Sequence, residues 1–172
     1  MGIIIGGVVV LTMLLVASGV MFSTFLDTSV SGAQSLKDLN RSNVQRHGSA
    51  LNITSGAFDG SESKDLIVSV DNTGSQSVAR FGDMDVIVKY TDSEDISVLT
   101  RLQYTDAAVG NNQWTVSVTG VQPDSFNPRF WDSDEILYID LRVNPAVKSG
   151  TSALIVVGTP WAVADQSTVD SP

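Results

Sequence analysis

The chain opens MGIIIGGVVVLTMLLVASGVMFSTFL, twenty-six residues without a charged side chain, and the run ends at Asp27. As a helix this segment reaches ~39 Å at ~1.5 Å per residue, enough to cross a hydrocarbon core of ~30 Å. A removable signal peptide instead carries a basic leading region, an apolar stretch of about 7–15 residues and a small-residue cleavage site. Here no Lys or Arg precedes the run and the run is too long, so a retained helix is expected although Ala17-Ser18-Gly19 offers small residues. The bare start suits a chain from which a short basic leader has been removed. Ile3, Ile4, Ile5, Val8, Val9 and Val10 make the helix apolar all round. Such a surface has to be covered on every side, by lipid or by copies of the same helix. Gly2 and Gly6 lie four apart, Gly7 follows, and Gly19 with Ser23 repeats the spacing. Small residues at that interval let helix backbones approach closely.

Beyond Asp27 the helical period persists while the surface changes. Leu26, Val30, Ala33, Leu36 and Leu39 recur every three or four residues, with Gln34, Lys37, Asp38 and Arg41 between them. The amphipathic extension is expected to stop at His47-Gly48, with the glycine as a left-handed cap. One helix of roughly 45 residues is about 70 Å long. That exceeds what a bilayer can cover, so the apolar stripe of its second half needs a partner.

From about residue 51 the period shortens from 3.6 to 2. Runs at 66–70, 85–90, 96–104, 114–118, 136–143 and 153–157 are rich in β-branched residues and separated by turn residues. Asp71-Asn72-Thr73-Gly74 reads as a turn needing positive φ. Six or seven strands with no helix between them predict an immunoglobulin-like antiparallel β-sandwich. Pro123, Pro128, Pro145 and Pro160 fall outside the runs, as a hydrogen-bonded ladder requires. The expected division is a helix over 1–50 and a sandwich over 51–172, an α+β chain.

Charge narrows the function classes. Nineteen Asp and Glu against ten Lys and Arg give −9, all of it after residue 26. Nucleic-acid binding needs basic residues that displace counterions from phosphates, so it is not expected. No cysteine is present, which removes a disulfide framework and thiolate metal sites. The single histidine, His47, falls at the helix end and cannot build a Ser-His-Asp site or a zinc site alone. No phosphate-binding loop motif occurs. No catalytic residue is therefore assigned, and the chain is not expected to be an enzyme.

The acidic clusters are Asp83 with Asp85, Asp92-Ser93-Glu94-Asp95 and Asp132-Ser133-Asp134-Glu135. They read as solvated turns, with a structural Ca²⁺ as the alternative. Two glycosylation triplets occur, Asn40-Arg41-Ser42 and Asn52-Ile53-Thr54. Asn52 is the better acceptor because Asn40 falls on the helix. Trp114, Trp131 and Trp161 read as sandwich core or subunit contacts.

An apolar helix with an amphipathic extension, followed directly by a sandwich, resembles the type IV pilin-like filament subunits. Within them the chain looks most like an archaellin, the archaeal flagellin. The resemblance rests on Met1-Gly2-Ile3-Ile4-Ile5-Gly6-Gly7, on the strand and turn from Leu66 to Ser75, and on the stretch from Glu135 to Ala164. Bacterial type IV pilins usually carry glutamate as the fifth mature residue. Ile5 stands there if Met1 is the first mature residue, which fits archaellins. The resemblance implies a structural subunit of a helical, rotating motility filament on the cell surface. Gly2, Ile3, Ile4, Ile5, Gly6, Gly7, Val10, Leu14, Gly19, Phe22 and Leu26 would form the polymerisation helix. Identical subunits would be its main partners in a homopolymer, after a stage in the cytoplasmic membrane. It also implies an assembly ATPase, a platform protein and a prepilin-type peptidase. The alternatives are a membrane-anchored accessory or stator component of the same machinery, and an adhesive pilin-like subunit.

Overall fold

The computed structural model describes residues 2–60, 62–124 and 127–172, with side chains described from Gly6 onward. Gly2, Ile3, Ile4 and Ile5 are thus placed as helix backbone, and their side chains lie outside the described residues. Helix α1 spans Gly2–Gly48. The chain forms two units, Met1–Asn43 and Val44–Pro172, so the last helical turn belongs with the sandwich.

Eight strands follow: β1 Asn52–Asp59, β2 Asp65–Asp71, β3 Asp85–Thr91, β4 Ser97–Tyr104, β5 Gln113–Gln122, β6 Ile136–Arg142, β7 Ser152–Gly158 and β8 Ala164–Asp170. Their hydrogen-bonded order is β1-β2-β6-β5-β4-β3-β7-β8. Every pairing is antiparallel except β4 with β5, which is parallel and joins only Gln103 to Gln113 and Tyr104 to Trp114. That short seam divides the ladder into two four-stranded layers, β1-β2-β6-β5 and β4-β3-β7-β8. The expected sandwich is therefore present, and it is nearly closed.

Period-2 alternation builds the core. Leu66, Val68 and Val70 of β2 and Leu137, Ile139 and Leu141 of β6 point inward. Val86 and Val88 of β3 and Ala153, Ile155 and Val157 of β7 meet them from the other layer, and all belong to one cluster. At the far side from the seam, β1 approaches β8. The Ile53 amide donates to an Asp165 carboxylate oxygen at 2.8 Å. Gly56 faces Val169 so closely that a Cβ there would lie 2.5 Å from a valine methyl.

Two of the eight strands, β1 and β8, lie outside the six runs read from the sequence. Both β1 and β8 are edge strands with little to bury, so their apolar signal is thin. In β8 only Val169 is buried, among Asp165, Gln166, Ser167, Thr168 and Asp170.

The junction between helix and sandwich also departs from expectation. Neither Gly48 nor Asn72 nor Gly74 has positive φ. Gly48 ends the helix by offering its carbonyl to the amides of Ser75 at 2.7 Å and Gln76 at 3.2 Å. The Gly74 amide donates to the Ala50 carbonyl at 3.1 Å, drawing the two segments together. A Cβ on Gly74 would meet the Ala50 nitrogen at 2.4 Å and the Gly48 oxygen at 2.5 Å. Glycine is needed there for close approach of backbones, not for a left-handed turn. Asn72, almost fully buried, holds the turn from inside. Its amide nitrogen donates to the carbonyls of Gln76 at 2.9 Å and Trp131 at 3.1 Å, while its oxygen accepts from Gly74 at 3.1 Å.

Candidate assembly helix

Between Gly6 and Leu26 every residue of α1 is exposed. Thirteen large apolar side chains from Val8 to Leu26 show 46–74% of their surface, Val10, Leu14, Phe22 and Leu26 among them. Soluble monomers rarely leave contiguous apolar patches beyond a few hundred Å² uncovered. Covering thirteen such side chains, at ~1.5–3 kcal/mol each, is a driving force on the order of tens of kcal/mol. The segment is long and apolar enough to cross a membrane.

The polar atoms in this segment are already satisfied. Thr12 donates to the Val8 carbonyl, Ser18 to Leu14, and Ser23 and Thr24 both to Val20, at 2.8–2.9 Å. Each hydroxyl folds back onto its own helix and needs no outside partner. That makes the helix compatible with lipid and with a dry bundle alike.

Glycine usage adds a second sign. A Cβ on Gly6, Gly7, Gly19 or Gly32 would meet nothing within 4 Å. Glycine in a helix interior costs ~1 kcal/mol relative to alanine, and no contact among the described residues offsets that. At 3.6 residues per turn, Gly6, Gly7 and Gly19 point about 100–140° apart. Close approach is therefore available on all sides of the helix, as a position surrounded by neighbours requires. In the second half, Val30, Leu36, Leu39 and Val44 keep 56–69% exposure as an apolar stripe beside Lys37 and Arg41.

The sandwich places the remaining sequence candidates. Asp83 pairs with Arg80 at 2.8 Å, and Asp85 pairs with Arg101. Asp92 accepts the amides of Glu94 and Ile96 at 2.9 Å, and Asp95 pairs with Lys148. A carboxylate oxygen of Glu135 accepts the Asp132 amide at 2.8 Å. These acids shape turns, and among the described residues no three acidic or histidine side chains gather to hold a metal ion. Asn52 is exposed at the start of β1, and Asn40 is exposed on α1. His47 is exposed in the last helical turn.

Trp114 and Trp131 are fully buried and Trp161 packs partly against the core. Tyr104 meets Trp114 edge-on, with ring centroids 4.9 Å apart at 61°. Its hydroxyl donates to Asp106 at 2.6 Å. Burial first, then that carboxylate, pushes the Tyr104 phenol up to about 12. Sequence reading missed this pair because a tyrosine two residues before an aspartate in a loop carries no distinctive pattern.

No protein-family profile matches the chain, and no curated protein sequence matches it. Solved structures do. The archaeal flagellum of Methanospirillum hungatei strain JF1 aligns with 98% of this chain and 94% of its own, at TM-score 0.63 and 11% identity. The archaeal flagellin FlaB1 from Methanocaldococcus jannaschii covers 72% of this chain and 91% of its own, at TM-score 0.50 and 13% identity. The archaellum periplasmic stator protein FlaG from Sulfolobus acidocaldarius covers 70% and 98%, also at 0.50 and 13%. The alignment with the flagellum takes in the helix as well as the sandwich. The fold of this chain is archaellin-like.

Proposed function

We propose that this chain is the structural subunit of an archaellum-type motility filament and polymerises through residues 1–26. One observation carries the reading: a helix apolar on every side, its hydroxyls internally bonded, stays exposed from Gly6 to Leu26 among the described residues. The helix first resides in the cytoplasmic membrane and then exchanges lipid for copies of itself. A bundle removes the apolar surface from water as the bilayer did. On this reading a prepilin-type peptidase releases the subunit, and an assembly ATPase with a platform protein drives it outward. The sandwich then faces the exterior, where Asn52 is the candidate glycan acceptor. The likeness to the flagellum takes in the helix that this reading makes the polymerisation element, which supports a filament subunit.

The double substitution Gly6→Leu with Gly7→Leu tests the reading. It keeps the helix apolar while filling the space at both glycines. Cells producing it are expected to retain the protein in the membrane and to show no filaments by electron microscopy. Normal filaments from that variant would contradict close packing at these positions.

A further inference from the structure

The two outer faces of the sandwich differ in charge. On the layer containing β3, β4 and β7, the outward residues include Ile87, Lys89, Leu99, Leu154 and Val156. Register puts Lys89 directly opposite Leu99 on one side and Leu154 on the other, so its ammonium group rises from an apolar frame. Leu99 is 72% exposed. Among the described residues Lys89 has no ion-pair partner, whereas Arg101 on the same face is held by Asp85.

The other layer is acidic outside. Asp140 of β6 stands opposite Ile67 of β2, and the isoleucine is 39% exposed. Arg142 neutralises Asp65 through two hydrogen bonds of 2.5 and 2.9 Å. Asp59 and Asp140 have no ion pair among the described residues, and both line one groove with Ile67. One Asp140 carboxylate oxygen is buried at the floor of the groove and finds no hydrogen-bond partner among the described residues.

We infer that the Lys89 face of one copy docks on the Asp59–Ile67–Asp140 groove of a second copy. Lys89 enters between the two carboxylates, and Leu99 and Leu154 cover Ile67. The inference rests on the filament reading above. Residues 49–172 hold seven basic and seventeen acidic residues, a net charge of −10, so neighbouring sandwiches repel unless the scarce cations are matched to acids. The two halves of the contact are different surfaces carried by every copy. A contact of that kind propagates from copy to copy instead of closing on a pair. Alone it is weak, and it acts once the helices hold the sandwiches at high effective concentration.

The test uses filaments assembled from the full chain as a mixture of isotopically light and heavy subunits. A carbodiimide joins a lysine amine to a touching carboxylate, with loss of water, and peptide mass spectrometry locates the amide. The expected product is a light–heavy link from Lys89 to Asp59 or Asp140. Filaments in which Lys89 is unlinked, or linked only to other acids, overturn the contact and leave the filament reading standing. Absence of any filament from the unaltered chain overturns that reading, and the contact with it. Lys89→Glu is expected to raise the critical concentration for assembly about tenfold while Lys89→Arg leaves it unchanged, because like charges opposed across a contact are strongly unfavourable. Equal behaviour of the two variants also counts against the contact.

Discussion

Gly74 shows how much one missing methyl group can decide. Its backbone lies against Gly48 and Ala50, where an added Cβ would sit 2.4–2.5 Å from backbone atoms that cannot rotate away. Gly74→Ala is therefore expected to cost ~1–3 kcal/mol in denaturant unfolding of the sandwich. Gly48→Ala should cost less, because its nearest neighbours are the side chains of Ser75 and Gln76. Tyr104 supplies a pH-dependent residue. Its phenol ionises near 10 when unfolded but is held up to about 12 by burial and by Asp106. Between those values the unfolded chain binds fewer protons than the folded one, so stability falls as pH rises. Below pH 10 the contribution is complete. Unfolding followed from pH 9 to 12 should show that decline, and Tyr104→Phe should flatten it. Tyr90 retains part of the slope, since burial and Asp92 raise its phenol too.

Among the elements, helix α1 and the six central strands were legible because each buries or exposes apolar surface at a clean period. The edge strands β1 and β8 were not, since a strand paired on one side can be largely polar. Asn72 and Gly74 were recognised as turn residues but for the wrong physical reason. Sequence shows a residue type suited to positive φ, whereas the need for glycine at 74 comes from residues 48–50, more than twenty positions away. The junction carries its own prediction. A fragment over 44–172 keeps the hydrogen bonds from Ser75 and Gln76 to the Gly48 carbonyl, and a fragment over 51–172 loses them. Both are expected to be soluble and monomeric, with the longer one melting several degrees higher, as a difference of ~1 kcal/mol produces in a domain of this size. Self-assembly of either fragment would contradict the assignment of polymerisation to the helix.

At the scale of the whole molecule, the chain combines a helix that water cannot accommodate with a sandwich whose net charge favours solvation. Lipid and a bundle of identical helices are the two environments that resolve this combination, and a filament subunit occupies them in turn. The apolarity of residues 1–26, on which the proposed polymerisation role rests, was legible in the sequence. The complementary sandwich faces were not, because Lys89, Ile67 and Asp140 are brought onto their faces only by strand register. The most direct measurement is made on filaments sheared from producing cells, pelleted, identified by peptide mass spectrometry and imaged by electron cryomicroscopy. The account predicts that this chain dominates the pellet, with α1 packed along the filament axis and the sandwich outside. Filaments built of another protein, with this chain left in the membrane fraction, would contradict it.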